Sequence, residues 1–317
     1  MLVSMPELAP PSDAAPVLAQ EFKVQDTCHL QVTVPRVRAR LRPARTSDRV
    51  SVDITVAGAD SASDEAVVDR MNLGTRQSKE TIQIASSSRS QHPEWWRWMR
   101  TANATVFLDV RVPSPVEASL HLPGGTLVVS DLQGTVDASV PGGAVRIQHF
   151  TGSLSLTGRR SPIEVSDVDG PSLAIDAAGA PVTISDSQSK AVDVTCVSGP
   201  LNIENASGAC TVSAHAARVT LEDLSGPCRA TAHGGSLTFA SSLSAPATLT
   251  TVAAPLTARL PASTGAALQA SGDLVSIPDR FAFRGDHTDR RVEGTLNGGG
   301  PSLSLRAIRG PVHCRVA

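Results

Sequence analysis

Between about residue 123 and residue 261, apolar residues recur two apart in short runs, and each run closes on Gly, Ser-Gly or a similar small pair. The runs TLVVSDLQG, AVRIQHFTG, PIEVSDVDG, PVTISDSQS, PLNIENASG, RVTLEDLSG and SLTFASSLS alternate with TVDASVPGG, SLSLTGRRS, SLAIDAAGA, AVDVTCVSG, CTVSAHAA and CRATAHGG. The first set closes at Gly134, Gly152, Gly170, Lys190, Gly208, Gly226 and Ala245, a step of 18 to 20 residues. Alternation with period two is strand periodicity, because successive side chains on a strand point to opposite faces. A fixed period near 18 that tolerates an extra residue at a turn is the mark of a stacked solenoid.

Laying the coils in register gives aliphatic columns. One reads Leu127, Val145, Ile163, Val182, Leu201, Val219, Leu237, Leu256, and the next Val129, Ile147, Val165, Ile184, Ile203, Leu221, Phe239, Ala258. The alternating runs supply Val136, Leu154, Leu173, Val192, Cys210, Cys228, Ala247 and then Ala138, Leu156, Ile175, Val194, Val212, Ala230, Leu249. Thr183, Asn202, Thr220 and Thr238 lie between them and are expected to face water. A coil with two or three inward residues per side is stable only on its neighbours, about 4.8 Å above and below. The expected fold is therefore all-β: a single-stranded parallel β-solenoid (β-helix) of about 18-residue, two-sided coils. The beat of nine and nine differs from that of a hexapeptide β-helix.

The corners carry their own chemistry. In the S-D-x-x-G corners at Asp131 to Gly134 and Asp167 to Gly170, the Asp can accept from the backbone two residues on, and the Gly can take a positive φ. Pro162, Pro171, Pro181, Pro200, Pro227, Pro246 and Pro255 fall at strand starts, where the missing N–H does least harm.

Outside the regular region the pattern predicts a Pro/Ala-rich disordered lead over residues 1–19 and one continuous body over 20–317. Residues 20–120 read as irregular N-terminal coils, with alternation in Leu30-Val32-Val34, Val37-Ala39-Leu41 and Val50-Val52-Ile54-Val56. A short helix is expected over residues 60–73, with Ser61 or Ser63 as N-cap and Gly74 beyond its end. Regular coils follow over 121–261. Residues 262–317 read as interrupted C-terminal coils, broken by a polar stretch from Gly265 to Asp289.

A short strand-rich start, a small helix, a strand ending in Val112-Pro113, Gly-punctuated strands and the closing G-G-G-P-x-L-x-L-x-x-x-x-G-P-V together resemble the putative-adhesin family, bacterial-type β-solenoid domains of unknown function. The resemblance covers Phe22 to Val316. It implies the solenoid fold and an adhesin-like role, and it brings no catalytic residues or cofactor.

The chain has 317 residues, 41% hydrophobic, 3% aromatic and no Tyr, with a net charge of -2. Few rings suit thin aliphatic layers. The charge implies no global attraction to nucleic acid or anionic membrane. Five cysteines without framework spacing suggest no disulfide scaffold; Cys210 and Cys228, one coil apart, read as buried free thiols. Residues 1–20 lack a basic start and an apolar core, and no 18-residue apolar run exists, so neither a signal peptide nor a membrane span is expected and the location reads as cytoplasmic.

Four features could carry chemistry. Arg36, Arg38, Arg40 and Arg42 alternate with Val37, Ala39 and Leu41, which puts four guanidinium groups on one strand face, either as a polyanion or partner site or as a solvated face balanced by Asp53 and other carboxylates. Trp95, Trp96 and Trp98 cluster in the loop HPEWWRWMR, as an interface hot spot or as a plug on the solenoid. Asp131, Asp167, Asp186, Asn205 and Asp223 stack at one corner, with His149 and Ser242 interrupting, as a ladder that a cation could bridge or as turn caps that need no metal, the reading favoured here. His215 and His233 follow Cys210 and Cys228 by five residues, a strand length of about 16 Å that keeps thiols and imidazoles from sharing a zinc ion.

No catalytic residue, cofactor or metal is expected. The reading is a non-enzymatic β-solenoid scaffold or adhesin-like binding protein of unknown protein or polyanionic partner, without specific nucleic-acid binding and with a monomeric or small-oligomer state. The rival readings are a self-assembling bactofilin-like structural protein and a polysaccharide-processing β-helix enzyme.

Overall fold

The structure is a computed structural model, and it describes residues 15–25, 28–57, 71, 73–86 and 105–317. The described chain is all-β and mostly parallel, and it divides into two compact units, Met1–Pro162 and Ile163–Ala317.

The first unit holds β1 (Leu18–Lys23), β2 (Cys28–Thr33), β3 (Val37–Pro43), β4 (Arg49–Ala57), β5 (Leu73–Ser78), β6 (Thr81–Ser86), β7 (Thr105–Val112), β8 (Val116–His121), β9 (Thr126–Ser139) and β10 (Ala144–Arg159). On one side β6, β2, β8 and the second half of β9 pair in parallel in that order. On the other, β7, β3 and the first half of β9 do the same, and β10 lies along the whole of β9. The coil made by β2 and β3 therefore lies one layer in from the edge, between β6/β7 and β8/β9. Antiparallel strands finish that edge: β4 on β7, β1 on β4 and β5 on β6.

The second unit holds β11 (Ile163–Ala178), β12 (Val182–Val197), β13 (Leu201–Ala206), β14 (Ala209–His215), β15 (Val219–Glu222), β16 (Cys228–His233), β17 (Leu237–Ala240), β18 (Ala247–Val252), β19 (Leu256–Leu260), β20 (Ala266–Ser271), β21 (Val275–Ser276), β22 (Phe283–His287), β23 (Arg291–Leu296), β24 (Ser302–Ile308) and β25 (Val312–Val316). β12, β14, β16, β18, β24 and β20 pair in parallel along one side, and β13, β15, β17, β19, β25 and β21 along the other. The C-terminal coil of β24 and β25 thus intercalates beneath β20 and β21, which precede it in sequence. The hairpin of β22 and β23 lies antiparallel on β20.

The register follows the columns read from the sequence. Leu201 pairs with Val219, Val219 with Leu237 and Leu237 with Leu256, and Cys210 pairs with Cys228. Every residue of the four aliphatic columns is buried. A further inward column sits at the corner: Leu132 and Phe150 in the first unit, and Val168, Ser187, Ala206, Leu224 and Leu243 in the second. It exists because Asp131, His149, Asp167, Asp186, Asn205 and Asp223 take left-handed backbone with φ of 51 to 58°. One left-handed residue interrupts the in-out alternation and turns its successor inward. In the last such corner the left-handed residue is Leu243, itself buried, so Ser242 does not hold the equivalent place.

Most of the proline positions behave as expected. Pro162, Pro181, Pro200, Pro227, Pro246 and Pro255 each stand just before a strand, and each offers its C=O to a backbone N–H of the preceding coil, as in Ile163 N–H to Pro181 at 3.0 Å and Cys210 N–H to Pro227 at 2.8 Å. Pro171 instead lies within β11, at a gap in its ladder to β12.

The irregular regions depart from expectation. β1 begins at Leu18, with Val17 N–H donating to Ile54 C=O at 2.8 Å, so the last residues of the proposed lead belong to a strand. β4 and β5 are antiparallel where parallel coils were expected. The helix over 60–73 lies almost wholly outside the described residues; its last residue, Leu73, and Gly74 start β5. The polar stretch from Gly265 to Asp289 is in part an ordinary coil, since Ala266, Leu268 and Ala270 of β20 are buried. Among the described residues no helix is long and apolar enough to cross a membrane.

Candidate functional site

The arginine strand is the sharpest charge feature of the sequence, and β3 fixes its geometry between β7 and β9. Val37, Ala39 and Leu41 are buried, so Arg38, Arg40 and Arg42 point outward and are half-buried. Arg36 does not join their face. It sits in the preceding turn, exposed, with φ 55° and its N–H donating to Pro123 C=O at 2.8 Å.

The strand arginines lie among groups brought from far along the chain. The Arg38 guanidinium is 5.5 Å from the centroid of the Phe107 ring, its cross-strand neighbour in β7. Arg42 Nε donates to Asp109 Oδ1 at 3.0 Å, and its Nη2 donates to the other carboxylate oxygen. Arg111 continues the row, 3.9 Å from Asp109 and 3.4 Å from Asp53. Carboxylates do balance this face, with Asp109 on the adjacent strand as the main partner and Asp53 one strand further. Asp109 and Arg111 were not singled out in the sequence, because the pairing of β3 with β7 bridges an irregular stretch with no repeat to carry the register. Beside Arg111 an open groove of 470 Å³ is lined by Glu21, Arg45, Asp48, Arg49 and Ser51; Arg49 bonds Glu21 at 2.8 Å.

The Asp corner forms a second polar strip. In the second unit Asn205 Nδ2 donates to Asp186 Oδ1 at 2.6 Å, and both line an open groove of 520 Å³ with Asp167, Asp169 and Gln188. In the first unit His149 Nδ1 lies 3.5 Å from Asp131. Asp and Asn tolerate left-handed backbone better than most residues, which is the role these side chains have here. Among the described residues no three His, Cys, Asp or Glu side chains are grouped to hold a metal ion.

A family model described as Toastrack DUF4097 matches residues 30–295. The chain belongs to the toastrack DUF4097 family. The family's stacked, β-solenoid-like architecture is the one described above. Among solved structures, a putative cell adhesion protein from Clostridium sporogenes ATCC 15579 is 8% identical, with 95% of this chain and 99% of that one covered and a TM-score of 0.27. No curated protein matches the chain.

In this toastrack chain the Cys and His pairs separate onto opposite faces. Cys210 and Cys228 face the core, whereas His215 and His233 are exposed and stack with ring centroids 4.9 Å apart and planes 11° from parallel. All five cysteines are free and buried. Burial pushes the Cys28 thiol from its ordinary 9.0 to about 11, with nearby Glu80 adding to it, and pushes Cys314 to about 12. Cys210 is also raised, first by its hydrogen bond with Cys228 and then by burial. Neutral thiols of this kind are packing groups and poor nucleophiles. Trp95, Trp96 and Trp98 lie outside the described residues.

Proposed function

We propose that this toastrack protein is a non-enzymatic binding scaffold of adhesin-like type, in which rigid solenoid coils present polar side chains in register to a protein or polyanionic partner. The observation that carries the reading is the outward rows themselves. In the second unit Asn202, Thr220, Thr238, Thr257 and His313 stand side by side on successive strands. Such a row is a flat, repeating array of hydrogen-bonding groups on a backbone that the stacked ladder holds still, which lowers the ordering cost of binding.

The basic strand is the part of the surface with a definable ligand chemistry. Arg38 and Arg40 are half-buried on β3 and stand opposite Thr126 and Val128 of β9. The test is retention on immobilised heparin across a salt series. The intact protein is expected to bind at low salt, with log affinity falling linearly in log salt, and the Arg38→Gln/Arg40→Gln variant should lower that slope by about one unit per arginine lost. Absence of retention at low salt, or an unchanged slope, would remove the polyanion from this reading.

A further inference from the structure

β22 is the last strand of the antiparallel extension in the second unit, and its pairing in that unit is with β23, from Phe283 opposite Leu296 to His287 opposite Val292. Arg284, Gly285, Asp286 and His287 are all exposed. Asn297 N–H donates to Ala282 C=O at 3.0 Å and Thr288 N–H to Arg291 C=O at 2.8 Å, so the even-numbered residues from 282 to 288 turn their backbone groups toward β23. By the alternation of an antiparallel ladder, Gly285 and His287 then point both N–H and C=O away from the sheet. Phe283 points its C=O the same way, while its N–H donates to Phe281 C=O at 2.8 Å.

The edge sequence Phe-Arg-Gly-Asp-His is complementary to itself when reversed. A second copy laid antiparallel with its two-fold axis at Gly285 sets Gly285 against Gly285 of the second copy as a mutually hydrogen-bonded pair, in the orientation its outward-pointing backbone groups already have. Arg284 then faces Asp286 of the second copy, and Asp286 faces the second Arg284. Phe283 and His287, which meet edge to face at 6.3 Å within one chain, face each other's counterparts on the opposite surface. The pairing also answers a charge conflict inside the chain. Asp286 lies directly opposite Glu293 on β23, a like-charge cross-strand pair that costs stability. Arg291 bonds Glu293 at 2.8 Å, and an incoming Arg284 would supply the second cation.

We propose that β22 is a dimerisation edge: two copies of this chain join β22 to β22, antiparallel about a two-fold axis at Gly285, with Arg284 of each facing Asp286 of the other. An edge of five residues buries less than the roughly 1,200 Å² of a standard stable interface, so the dimer is weak and concentration-dependent. This inference is independent of what the polar rows bind.

The test is sedimentation equilibrium of the full chain from low micromolar concentration to its solubility limit. The unaltered protein should pass from monomer to dimer. Arg284→Asp alone and Asp286→Arg alone should each lose at least tenfold in dimer affinity, because each sets like charges face to face. The double variant Arg284→Asp/Asp286→Arg should dimerise again, and an equimolar mixture of the two single variants should form a heterodimer. Both side chains are exposed, so each variant should keep the circular dichroism spectrum of the unaltered protein. A chain that stays monomeric throughout overturns the proposal, whether or not the edge takes a strand from another protein. Single variants that dimerise as well as the unaltered chain, or a double variant and mixture that fail to recover, overturn it equally.

Discussion

Ile184 and Thr183 are neighbours with opposite surroundings. Ile184 is 0% exposed, stacked between Val165 and Ile203, while Thr183 is exposed on the outer face. An aspartate at 184 would leave an unpaired carboxylate in an aliphatic layer, whereas one at 183 meets water. Ile184→Asp is therefore expected to cost several kcal/mol and Thr183→Asp within about 0.5 kcal/mol. Thermal unfolding followed by circular dichroism checks this, and comparable melting points would refute the register. This level was the most legible in the sequence, because period-two alternation reports directly which side chain is inward once the coil length is known. The inward column at the corner was missed for a physical reason. A left-handed residue such as Asp186 shifts the phase by one, so Ser187, which the simple alternation puts elsewhere, is buried.

At the scale of the coil, the corner glycines are set by stacking. A Cβ on Gly208 would come within 1.8 Å of Ser189 C=O, and one on Gly226 within 2.1 Å of Gly208 C=O. Gly234, by contrast, has φ 68° with nothing within 4 Å of its would-be Cβ. Gly208→Ala must push a backbone layer apart, while Gly234→Ala meets only left-handed strain of about 1 to 2 kcal/mol. In urea unfolding, Gly208→Ala should lower the midpoint by clearly more than Gly234→Ala; equal shifts would mean the corner layers are not in contact. In the S-D-x-x-G corners Gly134 and Gly170 do take the positive φ expected of them, 140° and 155°. The sequence did not announce the left-handed backbone of the Asp, with φ of 58° at Asp131 and 53° at Asp167, or the close approach of Gly134 and Gly152 to the neighbouring layer. The end strands were less legible. Nothing in the alternation of β4 distinguishes an antiparallel partner from a parallel one, since both bury every second residue. The arginine face suffers from the same gap, because its main counter-charge, Asp109, is placed by a pairing that the repeat does not announce.

At the scale of the molecule, both chain ends are handled alike within their own units. β2 and β3 are threaded between β6/β7 and β8/β9, and β24 and β25 between β18/β19 and β20/β21. Outside each threaded coil lie antiparallel strands, β4 with β1 and β5 in one unit and β23 with β22 in the other, in place of a bare parallel coil. An open coil would present a row of unpaired N–H and C=O groups over an aliphatic layer, a template for the next molecule, and capping elements are what keep solenoids from growing. The β22 pairing proposed above does not undo this, because an isologous two-fold contact consumes the same edge on both copies and closes at two. The intact chain is therefore expected to sediment as monomer and dimer with no larger species. Deleting residues 1–110 removes β2 and β3, which pair along β8 and β9, so the truncated protein should expose that ladder and aggregate or form filaments. Electron microscopy and sedimentation velocity on the two proteins side by side distinguish the outcomes: filaments from the intact protein in ordinary buffer would put the bactofilin-like reading first, since only an uncapped end can grow without limit.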